Sequence, residues 1–108
     1  MVTYTSETAA VVGILKHTQE ILDREGWIQG SLHSPNGYCL IGAIHKAARD
    51  LNTWHQDLDV AQLTLSRTLF NQIGHHSGVG SWNDNKFTTY ADVQNLIAGA
   101  IERTIENA

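Results

Sequence analysis

The apolar run Tyr38-Cys39-Leu40-Ile41-Gly42-Ala43-Ile44 follows directly on Ser34-Pro35-Asn36-Gly37, four residues whose types favour a turn. A chain that leaves a turn into unbroken apolar sequence has to bury what comes next, so this junction marks the start of a core helix. Leu40, Ile44, Ala47 and Leu51 recur on one face with Ile41 and Ala48 beside them, while Lys46, Arg49 and Asp50 supply a polar side; the spacing predicts a helix over Cys39 to Leu51. Gly42, Ala43 and Ala47 are small enough to let another helix approach closely, which suggests a central place in a bundle.

The flanking sequence supplies partners for that helix. From Thr5 or Ser6 as N-cap, Val11, Ile14, Leu15, Ile21 and Leu22 form a helical stripe that stops at Gly26, a residue suited to the position after a helix end. Trp27 to Gly37 then reads as a loop or short extended ribbon, with Trp27 and Ile28 pinned to the core and Asn36-Gly37 closing a tight hairpin. A third helix is expected from near Asp59 to Ile73, carrying Val60, Leu63, Leu65, Leu69, Phe70 and Ile73, with Gly74 ending it. His75 to Thr88 is polar and rich in turn residues and is expected to be the longest loop. Thr88 or Thr89 then caps a last helix to about Glu106, with Val93, Ile97, Ala100, Ile101 and Ile105 inward and Asp92 near its positive end. The expected fold is mainly α: a compact bundle of about four helices in a single domain over residues 1–108, with a very short β-hairpin between helices 1 and 2.

Composition removes several function classes. With 108 residues, 42% hydrophobic and 17% charged, the chain can bury one core and is too apolar for a disordered segment; it should fold alone or as a small homo-oligomer. A formal charge of −4 with scattered lysines and arginines argues against nucleic acid as a partner. No apolar run reaches the ~18 residues that a membrane span needs. The stretch Ala9 to Leu15 lacks a preceding basic residue and continues a helical period, so it reads as helix and not as a signal core. A cytoplasmic protein is expected. A single cysteine excludes an intrachain disulfide and a cysteine-rich zinc module.

The residues that could carry chemistry are few. Cys39 has two opposed readings, because helix N-terminal amides activate a thiol whereas apolar burial leaves it an inert core residue. A thiol enzyme would use Cys39 as nucleophile, Gln29 as an oxyanion donor, His75 or His76 as base and Asn83 or Asp84 to orient that base. The order resembles that of papain-like proteases, but those carry the histidine on a sheet that this chain lacks, and the core reading of Cys39 is preferred. His75-His76 with Asp84 offers nitrogen and oxygen ligands, yet adjacent histidines rarely serve one ion, and His17, His33, His45 and His55 fall on different elements. No metal and no cofactor are assigned. Neither glycine cluster has the context of a phosphate-binding loop.

Two aromatic blocks are more informative. Trp82-Asn83-Asp84 and Gly26-Trp27-Ile28-Gln29-Gly30 each set an aromatic residue beside short polar side chains. Such a block plugs a loop onto the core and holds a turn, or it anchors a partner at low entropic cost. The candidate binding residues are therefore Trp27, Gln29, Trp82, Asn83 and Asp84.

Taken in order, Gly26-Trp27-x-Gln29-Gly30, Cys39-Leu40-x-Gly42-Ala43 and Trp82-Asn83-Asp84 before a Thr-capped helix resemble a family of short uncharacterised proteins of actinobacteria and their phages, over about Thr8 to Ala100. The resemblance implies no activity. It implies a context: a small cytoplasmic accessory protein, phage-encoded and acting in a bacterial host. The expected function is a non-enzymatic domain that binds and modulates a host protein; the alternative is a small cysteine-dependent hydrolase or transferase using Cys39.

Overall fold

Three of the five helices among the described residues begin where a side chain satisfies a first-turn amide. Thr5 Oγ1 accepts from the Thr8 amide at 3.1 Å and opens α1, Ser6–Glu25, which ends at Gly26. The structure, a computed structural model, describes residues 5–74 and 78–108. After α1 come β1 (His33–Ser34), β2 (Gly37–Tyr38), α2 (Leu40–Asp50), α3 (His55–Ile73), α4 (Val79–Asp84) and α5 (Tyr90–Glu106).

The fold is the mainly helical bundle expected, with the short hairpin between α1 and α2, but with five helices among the described residues. The additional one, α4, carries Trp82-Asn83-Asp84, so that block is helical where a loop was expected. Its N-cap is Gly78, without a side-chain hydrogen bond, and its six residues are too few to show a period. α3 starts at His55, about one turn before the expected Asp59. Its N-cap is Trp54, which also makes no capping bond and so left no signal in the sequence.

The central helix is α1 and not α2. It packs against α2, α3 and α5, and α3 also packs against α5. Val11, Ile14, Leu15, Ile21 and Leu22 are buried as the stripe requires, and Thr18 joins them because its hydroxyl donates to Ile14 O at 2.7 Å. Burial without that bond would cost on the order of 1–3 kcal/mol. In α3 the buried face is Leu58, Ala61, Leu65 and Leu69, whereas Leu63, Phe70 and Ile73 are exposed. α5 opens on a full capping box: Thr89 Oγ1 accepts from the Asp92 amide, and Asp92 Oδ2 accepts from the Thr89 amide.

One small residue of α2, Gly42, serves a different neighbour from the one expected. β1 pairs antiparallel with β2 in the register His33 to Tyr38 and Ser34 to Gly37, so Pro35-Asn36 are the central turn residues and Gly37 follows them. This corrects the expected Asn36-Gly37 closure. Asn36 keeps a negative φ, and Ser34 Oγ accepts from its amide at 3.1 Å. The ribbon lies so close to α2 that a Cβ at Gly42 would stand 2.0 Å from the carbonyl oxygen of Leu32. Gly42 is thus small for the hairpin's backbone and not for a second helix.

Gly42→Ala is expected to force that ribbon away and to lower stability by about 1–3 kcal/mol, the usual cost of overpacking. Urea denaturation checks it; a variant as stable as the parent would show that the ribbon yields freely.

Candidate functional site

Three sequence blocks meet at the start of α2. Asn83, fully buried on α4, is the centre. Its Oδ1 accepts from Trp27 Nε1 at 2.7 Å and from the Leu40 amide at 3.0 Å; its Nδ2 donates to Ile28 O at 3.2 Å and to Asp84 Oδ1 at 3.0 Å. Both N–H partners can only donate and both oxygens can only accept, which fixes the orientation of the amide and uses all four of its hydrogen-bonding positions.

The neighbouring side chains close the same lock. Gln29 Nε2 donates to Asn83 O and Asn85 O at 2.9 and 2.8 Å, and Asp84 Oδ1 also accepts from the Gly30 amide at 2.9 Å. Thr88 Oγ1 donates to Trp82 O at 2.7 Å, tying the exit of α4. The Trp27 ring lies stacked against Tyr90 at 6.1 Å between centroids. Tyr90 donates to Asp23 and accepts from Gln19, and burial, then the Asp23 carboxylate, hold its hydroxyl above the usual phenol range.

Cys39 stands beside this lock as the N-cap of α2. The residue is 5% exposed, and its Sγ accepts from the Gly42 amide at 3.3 Å. Its amide donates to Leu32 O, and its carbonyl accepts from Ala43. Asn83 and Cys39 therefore share the orphan amides of α2, the first taking Leu40 and the second Gly42. Among the described residues no imidazole hydrogen-bonds the thiol. His75 and His76, the expected base and metal ligands, lie outside the described residues. Gln29 and Asp84, the other catalytic candidates, are engaged in loop hydrogen bonds. No group of three or more His, Cys, Asp and Glu side chains placed to hold a metal occurs among the described residues.

Of the candidate binding residues, Trp27, Gln29, Asn83 and Asp84 are brought together by bonds to one another. Trp82 leads elsewhere. With Leu69 it lines a groove of about 450 Å³ between α3 and α5, edged by Gln72, Ile73, Phe87 and Asn95. Phe87 is 79% exposed and Ile73 57%. Lys86 Nζ sits 5.1 Å from the centre of the Phe87 ring. The side-chain amides of Gln72 and Asn95 hold no hydrogen-bond partner among the described residues. Phe87, Ile73, Gln72 and Asn95 were not singled out from the sequence; an aromatic inside the polar stretch Asn85-Lys86-Phe87-Thr88 was the available signal.

The order of blocks that builds this lock extends through most of the chain, and one family model spans the same stretch. The chain belongs to the family of unknown function DUF6197, whose model matches residues 6–103. The resemblance drawn from the three blocks holds to that extent, for an uncharacterised family. Comparison of this DUF6197 member with the curated proteins and with the solved structures returns no match. No helix among the described residues is long and apolar enough to cross a membrane.

Asn83→Ala leaves Trp27 Nε1, the Leu40 amide and Ile28 O without their partner and is expected to cost ~3 kcal/mol or more. Trp27→Phe removes one donor only and is expected to cost about 1 kcal/mol. Equilibrium urea unfolding of both variants checks the order, and equal losses would contradict a hub at Asn83. Alkylation tests the capped thiol: Cys39 in the folded protein is expected to react with iodoacetamide much more slowly than in urea, as followed by mass spectrometry.

Proposed function

We propose that this protein is a non-enzymatic binding domain whose groove between α3 and α5 receives an extended peptide segment of a partner protein, anchored by one apolar side chain. Phage origin and a bacterial host protein as the partner belong to the same proposal; they rest on the family resemblance of the three blocks. The observation that carries the reading is the pairing of a large exposed aromatic, Phe87, with exposed Ile73 over a floor of Trp82 and Leu69. Aromatic and aliphatic side chains held at the rim of a preformed groove supply binding area at little ordering cost. Gln72 and Asn95 offer donors and acceptors suited to a peptide backbone. The lock at Asn83 holds α4, and with it Trp82, in place before any partner arrives.

The thiol alternative has less support. Cys39 is buried and capping, and its candidate helpers Gln29 and Asp84 are occupied in holding the loop.

Panning a random peptide display library against the immobilised protein is expected to enrich sequences sharing one apolar anchor. Phe87→Ala should weaken a selected peptide about tenfold or more. Trp54→Ala, which removes an aromatic 78% exposed at the start of α3, should leave it unchanged. A peptide set that binds Phe87→Ala as well as the parent, or no enrichment at all, would sink the reading.

A further inference from the structure

Arg67 on α3 and Arg103 on α5 line two clefts, of about 380 and 340 Å³, and they are the residues that the two clefts share. Neither guanidinium is paired with a carboxylate among the described residues, where the ion pairs involve His17, Glu20, Lys46 and Asp50. Other cations among the described residues are unpaired as well; what sets these two apart is that they line the same two clefts. Two cations that line the same clefts favour an anion over a further cation there.

The lining narrows the kind of anion. Thr64 and Thr104 face the larger cleft, but their hydroxyls donate to Val60 O and Ala100 O within their own helices, at 2.7 and 2.8 Å. Their remaining capacity is to accept. The donors left for a bound anion are the two guanidinium forks, with the Ser66 hydroxyl and the Asn71 amide in the smaller cleft and the Thr8 hydroxyl and the Asn107 amide in the larger. Glu7 also lines the larger cleft and is absent from the smaller, which makes the smaller the better seat for an anion. Guanidinium groups bind phosphate oxygens in pairs, and two of them balance a phosphate carrying close to two negative charges.

We infer that Arg67 and Arg103 form a binding site for a phosphate group, free or carried on a small metabolite, in the seam between α3 and α5. The site is separate from the peptide groove and does not depend on it.

The test is a two-dimensional NMR titration of the full chain with inorganic phosphate, and in a parallel arm with methyl phosphate, at constant ionic strength set by chloride. Saturable shifts confined to residues 64–71 and 100–107 are expected, and the tighter of the two ligands tells free phosphate from an ester. Arg67→Gln and Arg103→Gln should each weaken binding about tenfold or more. Arg49→Gln, on the exposed side of α2, should not. Both cleft variants replace surface side chains and should keep the parent's dispersion of amide signals. Shifts that fail to saturate, that chloride reproduces, or that survive in the double variant would overturn the site.

Discussion

The side-chain amide of Asn83 is the interaction on which the arrangement of this protein depends. It joins three segments that are far apart in sequence, the ribbon after α1, the first amide of α2, and α4, and it does so with no hydrogen-bonding position left over. A buried polar network is stabilising only when every member is satisfied, since a half-satisfied one leaves desolvated groups unpaired. Asn83 meets that condition, and an apolar residue of similar size would not: it would bury the Trp27 indole N–H and the Leu40 amide without acceptors. Specificity follows from the same fact. Any other docking of α4 on α2 would strand those donors.

The lock also explains the demand for small residues around it. For Ile28 O and the Trp27 indole to reach Asn83, the chain leaving α1 has to double back against the hairpin. Gly26 and Gly37 cross there with φ of 103° and 138°, and a Cβ at Gly37 would lie 2.1 Å from Gly26 O. The Tyr38 amide donates to Gly26 O, and the Ile28 amide to Tyr38 O, both at 3.0 Å. Leu32 is thereby pressed on α2 at Gly42, and Cys39, the residue between hairpin and helix, caps α2 because its backbone is already held extended. The thiol is thus placed by the ribbon's path and not by a need for reactivity.

What the sequence revealed and what it withheld divide along a physical line. Features written in neighbouring residues were legible: the period of α1, its Thr5 and Gly26 ends, the Gly74 stop of α3 and the Thr89 cap of α5. Elements without a capping side chain were not, which is why α4 was missed and α3 was started late. The five candidate binding residues were visible as blocks, but the bonds that place Trp27, Gln29, Asn83 and Asp84 run over 43 to 56 residues of separation and leave no local periodicity. The groove was hidden for another reason. Ile73 continues an apolar helix pattern and looks like core, and only the position of α5 decides that it faces outward.

Trp82 and Asn83 are adjacent on α4 yet turn to different tasks, one lining the groove and the other holding the lock. That adjacency ties the lining of the groove to the stability of the lock. α4 has only six residues and no side-chain cap, so on its own it would not persist as a helix. Its conformation is supplied by the bonds of Asn83, by Gln29 reaching its C-terminal end and by Thr88 on Trp82 O. Under the proposed function, a partner gripping Trp82 would meet a residue whose place was already set by the ribbon and α2 at folding. On the proposed function the ordering cost of Trp82 is met before the encounter, and the buried lock that looks purely structural also fixes one wall of the neighbouring groove.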